Sequence, residues 1–119
     1  MRKIATRLIA CTLTVAAFSA PLAHAGDKAE DAMKMVQEKY GVDVKKVFGT
    51  QCGLCHGKYG MEMGGRGGGP KLADTKMNEA QLTDRISNGK TGMMPSFKKM
   101  LKENELQGMV AYIMAIAAK

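Results

Sequence analysis

Apolar residues recur at helical spacing in four stretches of the chain. Ala29, Met33, Val36 and Tyr40 fall at i, i+4, i+7 and i+11, a spacing that lines one face of a helix. Asp27 is placed to cap this helix with Glu30 three residues on, and Gly41 is placed to end it. Asp43 caps a second, shorter segment that carries Val44, Val47 and Phe48 towards Cys52. Asn78 with Gln81 makes a capping-box start for a third, with Leu82 and Ile86 inward and Asn88-Gly89 at its close. The fourth carries the longest stripe: Leu106, Met109, Val110, Ile113, Ile116 and Ala117. No run alternates apolar and polar residues as a half-buried strand does, and no segment repeats. The pattern predicts a small all-α fold.

The first 25 residues read differently. Arg2, Lys3 and Arg7 form a basic start without an acid, Leu8 to Phe18 is mostly apolar, and Ala23-His24-Ala25 precedes Gly26. A basic start, a short apolar run and an A-x-A cut site are the parts of an export signal, so residues 1–25 are expected to be cleaved and residues 26–119 to form the domain. Leu8-Ile9-Ala10-Cys11 has the look of a lipid-attachment box, but only three apolar residues precede Cys11, far short of an export signal's apolar region. Export through this signal places the domain in the bacterial periplasm.

Composition narrows the class. Removing 25 of 119 residues leaves 94, and the loss of three basic residues lowers the net charge from +7 to +4. The 45% apolar content argues against disorder, and no stretch of eighteen apolar residues is present to span a membrane. Beyond the signal, Cys52 and Cys55 are the cysteines and His56 the histidine, too few thiols for a disulfide framework. Aromatic residues make up 5% with no tryptophan, a thin supply for a domain whose size already makes it marginal. A group other than side chains is expected to fill the middle.

Cys52-Gly53-Leu54-Cys55-His56 supplies such a group, because Cys-x-x-Cys-His is the haem c attachment motif. Two thiols add across the two vinyl groups of haem, and the adjacent histidine lies under the ring where its imidazole can ligate iron. A zinc site would need four ligands, with carboxylates completing the set. A redox dithiol pair would sit in a βαβ frame, and none is visible. A single histidine implies one haem whose sixth ligand is methionine, lysine, water or nothing. Methionine identity alone does not choose, since ten of the eleven lie beyond the signal, and Met33, Met109 and Met114, on apolar stripes, read as core filler. Gly92-Met93-Met94-Pro95 lies instead in an irregular segment, where Pro95 stiffens the turn. Gly64-Gly65-Arg66-Gly67-Gly68-Gly69-Pro70 lacks the strand and the Gly-Lys-Ser/Thr of a phosphate loop; it reads as backbone passing close to a large flat ligand, where side chains would collide.

Taken together, these motifs resemble the class I c-type cytochromes over about residues 43–119: a helix running into Cys52–His56, Gly69-Pro70-Lys71-Leu72, the Met94-Pro95 pair, and a last helix with Val110-Ala111-Tyr112-Ile113. The resemblance implies a cytochrome c-like helical domain wrapped around one covalently attached haem. It implies His56 as proximal ligand and Met94 as distal ligand, with Met93 the neighbour that could replace it. It further implies that the Pro70 carbonyl accepts a hydrogen bond from His56, and that Val44, Val47 and Phe48 cross the Ile113 stripe. Without tryptophan, contacts to the haem propionates fall to Tyr59, Arg66 or Lys71. Residues 26–42 form a helix beyond the family core, expected to pack over the outside.

The function implied is a periplasmic electron carrier and not an enzyme, a monomer that exchanges one electron with redox proteins. A gas-binding or sensing haem protein and a fixed haem subunit of a dehydrogenase are the alternatives. Lys58, Lys71, Lys90, Lys98 and Lys99 flank these motifs, with Glu62 the main acid near them, an arrangement suited to partners with acidic docking surfaces or simply to solvation. Two arginines beyond the signal and no basic stripe with aromatic platforms argue against nucleic acid. The exported protein is expected to have the intact mass of Gly26–Lys119 plus one haem, retained through acid–acetone extraction; extractable haem or bound zinc would contradict the motif reading.

Overall fold

A computed structural model describes Ser19 and residues 24–119. Most of the expected export segment, Cys11 included, lies outside the described residues. Five α-helices follow in order: α1 (Ala25–Tyr40), α2 (Val44–Gln51), α3 (Gly53–His56), α4 (Glu79–Asn88) and α5 (Glu103–Ala117). Short 3-10 turns occur at Lys58–Gly60 and Leu72–Asp74. Among the described residues there is no strand, only an isolated antiparallel bridge between Lys90 and Met94.

Helix α1 begins three residues before the expected start, with His24 at its cap position. Asp27 is not its N-cap but its third residue, where the carboxylate accepts from the His24 backbone N–H at 3.1 Å. The reason is local: a carboxylate one turn inside a helix can reach back to the donor at the cap, and it complements the positive end of the helix dipole. Gly41 ends the helix in the left-handed region at φ 66°, its N–H donating to Gln37 O at 3.1 Å, a conformation that glycine adopts without a Cβ penalty.

The buried face of α1, Ala29, Ala32, Met33 and Val36, lies in one core with α5 residues Met109, Val110, Ile113 and Ile116. The two helices run antiparallel and are pinned at both ends. Lys28 Nζ donates to the Ala118 carbonyl near one end, and Asn104 Nδ2 donates to Tyr40 O at 3.3 Å near the other. Their approach depends on Gly108, where an added Cβ would lie 3.1 Å from both Val36 Cγ1 and Val42 Cγ2. The N-terminal extension is therefore part of the core itself rather than a layer over its outside, because its apolar stripe meets that of α5. Met114 is not: it is exposed on α5 rather than buried with Met33 and Met109.

Helix α2 is capped as expected, Asp43 Oδ1 accepting from Lys46 N at 3.1 Å, and it buries Val44, Val47 and Phe48. Its aromatic crossing with α5 is made at Tyr112, whose ring meets Phe48 edge-on at 5.9 Å between centroids. The Lys45–Glu30 pair between α2 and α1 spans 3.1 Å but is exposed on both sides, so it contributes little. Helix α4 carries the full capping box, Asn78 and Gln81 exchanging bonds of 2.9 and 3.0 Å, and turns Leu82 and Ile86 inward.

Tyr112 joins this frame to the segment after His56. Its hydroxyl donates to the Tyr59 carbonyl at 2.8 Å, and Tyr59 is the one non-glycine residue with positive φ among the described residues, at 54°. That conformation costs roughly 1–2 kcal/mol in an L-residue, which the Tyr112 bond and the Phe48–Tyr59 ring contact at 6.3 Å offset. Burial raises the Tyr112 hydroxyl pKa well above its ordinary value of 10.0, with smaller contributions from Tyr59 and Glu30. A tyrosine whose folded pKa is raised contributes stability that is complete below the unfolded value and is lost as pH climbs towards the folded one. Urea unfolding should therefore show stability falling above about pH 10, by up to about 1.4 kcal/mol per pH unit from this group. Tyr112→Phe should cost about 1 kcal/mol at neutral pH and flatten the alkaline slope by that contribution; an unchanged slope would show that the hydroxyl ionises within the folded protein.

Candidate functional site

Helix α2 stops at Cys52, where ψ stays helical but φ widens to −116°, and the chain resumes as the single turn Gly53–His56. This α3 turn was not separable from α2 by periodicity, because four residues carry no repeat. Cys55 N and His56 N both donate to the Cys52 carbonyl, at 3.1 and 2.9 Å. One turn of helix thus holds both half-buried sulfurs and the imidazole together. Both cysteines are free thiols. Burial pushes the Cys52 thiol up to about 11, and neighbouring Cys55 adds to the rise. Among the described residues no three His, Cys, Asp or Glu side chains gather into a group that could hold a metal ion.

The glycine segment folds directly over this turn. Gly69 N donates to Cys55 O at 2.7 Å, Gly67 N to Leu54 O at 3.2 Å, and Gly64 N closes the loop on Gly69 O at 3.0 Å. A Cβ at Gly64 would lie 1.9 Å from Cys55 O, one at Gly67 2.2 Å from Cys55 Sγ, and one at Gly69 2.4 Å from Cys55 O and 2.9 Å from His56 Nδ1. The backbone does make a close approach here, and the contacts that forbid side chains at these glycines come from Cys55, His56 and the loop's own Gly69. Glycine spacing alone could signal crowding but not name the neighbour.

This clamp delivers Pro70. Its carbonyl lies 2.9 Å from His56 Nδ1, and because a carbonyl can only accept, the proton resides on Nδ1. Nε2 is left as the basic nitrogen, the form in which imidazole ligates iron. Two unpaired thiols, a histidine with a defined tautomer, and half-buried Leu72, Met77, Met94 and Leu101 packed at the core margin make a donor set and apolar surface that fit a covalently attached haem.

Met94 is held by the backbone around it. Lys90 and Met94 exchange two bonds of 2.8 Å, and Met93 N donates to Lys90 O at 2.9 Å. The Met94–Pro95 turn is tied to the end of α4, with Phe97 N donating to Ile86 O at 3.0 Å and Ser96 Oγ to Ser87 O at 2.5 Å. Gly89, at φ 72°, lets the chain pass where a Cβ would lie 2.4 Å from Met94 O. Within this turn the two methionines diverge: Met93 is 74% exposed, whereas Met94 is half-buried against the core.

The residues expected at the propionates separate. Arg66 is exposed, the Tyr59 carbonyl is taken by Tyr112, and Lys71 faces Asp74 at 3.6 Å. Asp74 is an acid the sequence reading missed, three residues along a turn no periodicity announces. Lys58, Lys90, Lys98 and Lys99 are exposed.

Known proteins share sequence and fold with the region that carries this site. Residues 42–113 match the family described as cytochrome C oxidase, cbb3-type, subunit III. The chain is 32% identical over 77 residues to cytochrome c6 of Leptolyngbya boryana, covering 62% of this chain and 89% of that protein. It is equally 32% identical over 77 residues to the cbb3-type cytochrome c oxidase subunit FixP of Bradyrhizobium diazoefficiens, covering 58% of this chain but only 25% of that protein. In structure it is similar to the KustC0563 c-type cytochrome, with a TM-score of 0.54 and 26% identity over 65% of this chain and all of that one. The attachment turn, the helical frame and these relatives lead to one assignment: the chain belongs to the cbb3-type subunit III family of cytochromes and is a small class I c-type cytochrome with covalently bound haem c.

Proposed function

We propose that this protein is a periplasmic one-electron carrier whose single haem c is held by Cys52 and Cys55 and ligated by His56 and Met94. Haem-based electron transfer follows from the family; the ligand pair, the compartment and the partners are this reading's additions. The observation that carries it is the His56–Pro70 hydrogen bond of 2.9 Å. It fixes the ring and leaves Nε2 as the nitrogen available to ligate, as a proximal ligand requires. Bound haem supplies a ferrous/ferric couple. The chain's own part is to supply two stiff ligands. His56 is fixed by the glycine clamp, and Met94 by its paired turn with Lys90. A histidine–methionine pair leaves no open position for substrate, which favours a carrier over an enzyme or gas sensor, and it favours a raised potential. Removal of residues 1–25 and release into the periplasm is the route the export signal supports, and among the described residues no helix is long and apolar enough to cross a membrane.

A second reading, a haem unit held within an oxidase or dehydrogenase assembly, is favoured by the name of the FixP relative, of which this chain spans a quarter. Native gel filtration separates it from a free monomeric carrier.

Two outcomes test the reading. Met94→Ala should abolish the near-infrared sulfur-to-iron band, open the iron to cyanide and lower the potential, while Met93→Ala leaves all three in place; the reverse result moves the ligand by one residue. Exposed Lys58, Lys90, Lys98 and Lys99 form the docking face for acidic redox partners in this reading, with Lys71 partly neutralised by Asp74. Stopped-flow oxidation by hexacyanoferrate should then slow as salt rises, and oxidation by a cationic cobalt phenanthroline complex should quicken, since screening already acts over about 10 Å at 0.1 M. Rates flat in ionic strength for both would reduce these lysines to solvation.

A further inference from the structure

Folding removes most large apolar side chains from water, yet among the described residues five stand exposed: Leu54, Met63, Met93, Met100 and Met114. Four of these are methionines, and hydrophobicity does not account for the preference. Exposed apolar area costs about 25 cal/mol per Å² for leucine and methionine alike. A thioether differs by its sulfur lone pairs, which are open to soft metal ions and to oxidants. A metal ion needs several sulfurs converging. These four sit on separate elements, and Met61, near Met63 in the chain, is packed against the core. Oxidation needs only exposure.

The two most exposed methionines flank the haem attachment and ligand segments. Met63 is 76% exposed, and its carbonyl lies 3.0 Å from where a Cβ on Gly57 would be, so its backbone is seated beside the residue that follows His56. Met93 is 74% exposed and directly precedes Met94 in the turn closed by Lys90. That turn sends one sulfur into water and keeps its neighbour against the core, so an oxidant arriving from solvent meets Met93 first.

We propose that Met63 and Met93 are modification sites for peroxide-class oxidants, and that their conversion to sulfoxides weakens docking at this face while Met94 keeps its thioether. The sulfur lone pair attacks one peroxide oxygen, the O–O bond breaks and an S–O bond forms. Sulfur is oxidised by two electrons, and hydrogen peroxide is reduced to water. The product replaces an apolar, flexible side chain with a strongly hydrated one, so the rim of the docking face no longer gains by leaving water. This rests on the proposed ligand role of Met94 and on docking through this face.

The test treats the holoprotein with limiting hydrogen peroxide and maps peptides by mass, each sulfoxide adding about 16 Da. At the dose that converts about half of Met63 and Met93, Met94, Met33 and Met109 should be less than about a tenth converted. The same material should exchange electrons about threefold more slowly with a gold electrode bearing a mixed carboxylate- and methyl-terminated monolayer. Its sulfur-to-iron band should be intact, and methionine sulfoxide reductase should restore the rate. The Met63→Leu/Met93→Leu double variant should keep its rate through the same dose. Conversion of Met94 as fast as Met93, or sulfoxides at both sites with an unchanged exchange rate, overturns the proposal. Absence of the band before any oxidant is added refutes the Met94 ligand reading instead, while the peptide map still decides where oxidation falls.

Discussion

A backbone hydrogen bond of 2.7 Å, from Gly69 N–H to the Cys55 carbonyl, is the contact from which the rest of the site is built. It brings the glycine loop so close to the attachment turn that no side chain fits at positions 64, 67 or 69, and it leaves the next carbonyl, that of Pro70, against His56 Nδ1. Backbone sets the histidine tautomer here, and backbone has no rotamers to explore, so the imidazole's orientation does not depend on the packing of a long side chain. The cost is a run of glycines with high conformational entropy in the unfolded chain, which suits a domain whose folding is completed by a covalently held cofactor.

The helical frame serves this clamp at a distance. Helices α1 and α5 close over Gly108, α2 crosses α5 through Phe48 and Tyr112, and Tyr112 reaches the Tyr59 carbonyl in the turn after His56. The left-handed conformation of Tyr59 persists because that hydrogen bond and the Phe48 ring both hold it, the usual condition for a strained residue to survive. Strain, ligand turn and C-terminal helix thus form one connected unit.

On the other side of the ligand question, the Lys90–Met94 turn gives two adjacent methionines opposite fates. Similar domains occur in relatives of very different size, a small cytochrome c6 and an oxidase subunit of which this chain spans a quarter. In the proposed function, partner choice belongs to the exposed lysines and thioethers, while the clamp and frame belong to the fold.

By itself the sequence determined what depends on short-range pattern. The faces of α1, α2, α4 and α5 follow from the 3.6-residue period, the Asn78–Gln81 and Asp43 caps from side chains that reach one turn along the chain, and the proposed site of haem attachment from two cysteines and a histidine within one turn. The tertiary structure decided what depends on contacts between distant segments. It put Met114 on the surface and gave the aromatic crossing to Tyr112, whereas the place of Asp27 within α1 and the Lys71–Asp74 pair are local outcomes that the apolar period does not record. Above all it named Cys55 and His56 as the neighbours that require the glycines. A glycine records only that space is short; which atoms take up that space is fixed when segments far apart in the chain are packed together.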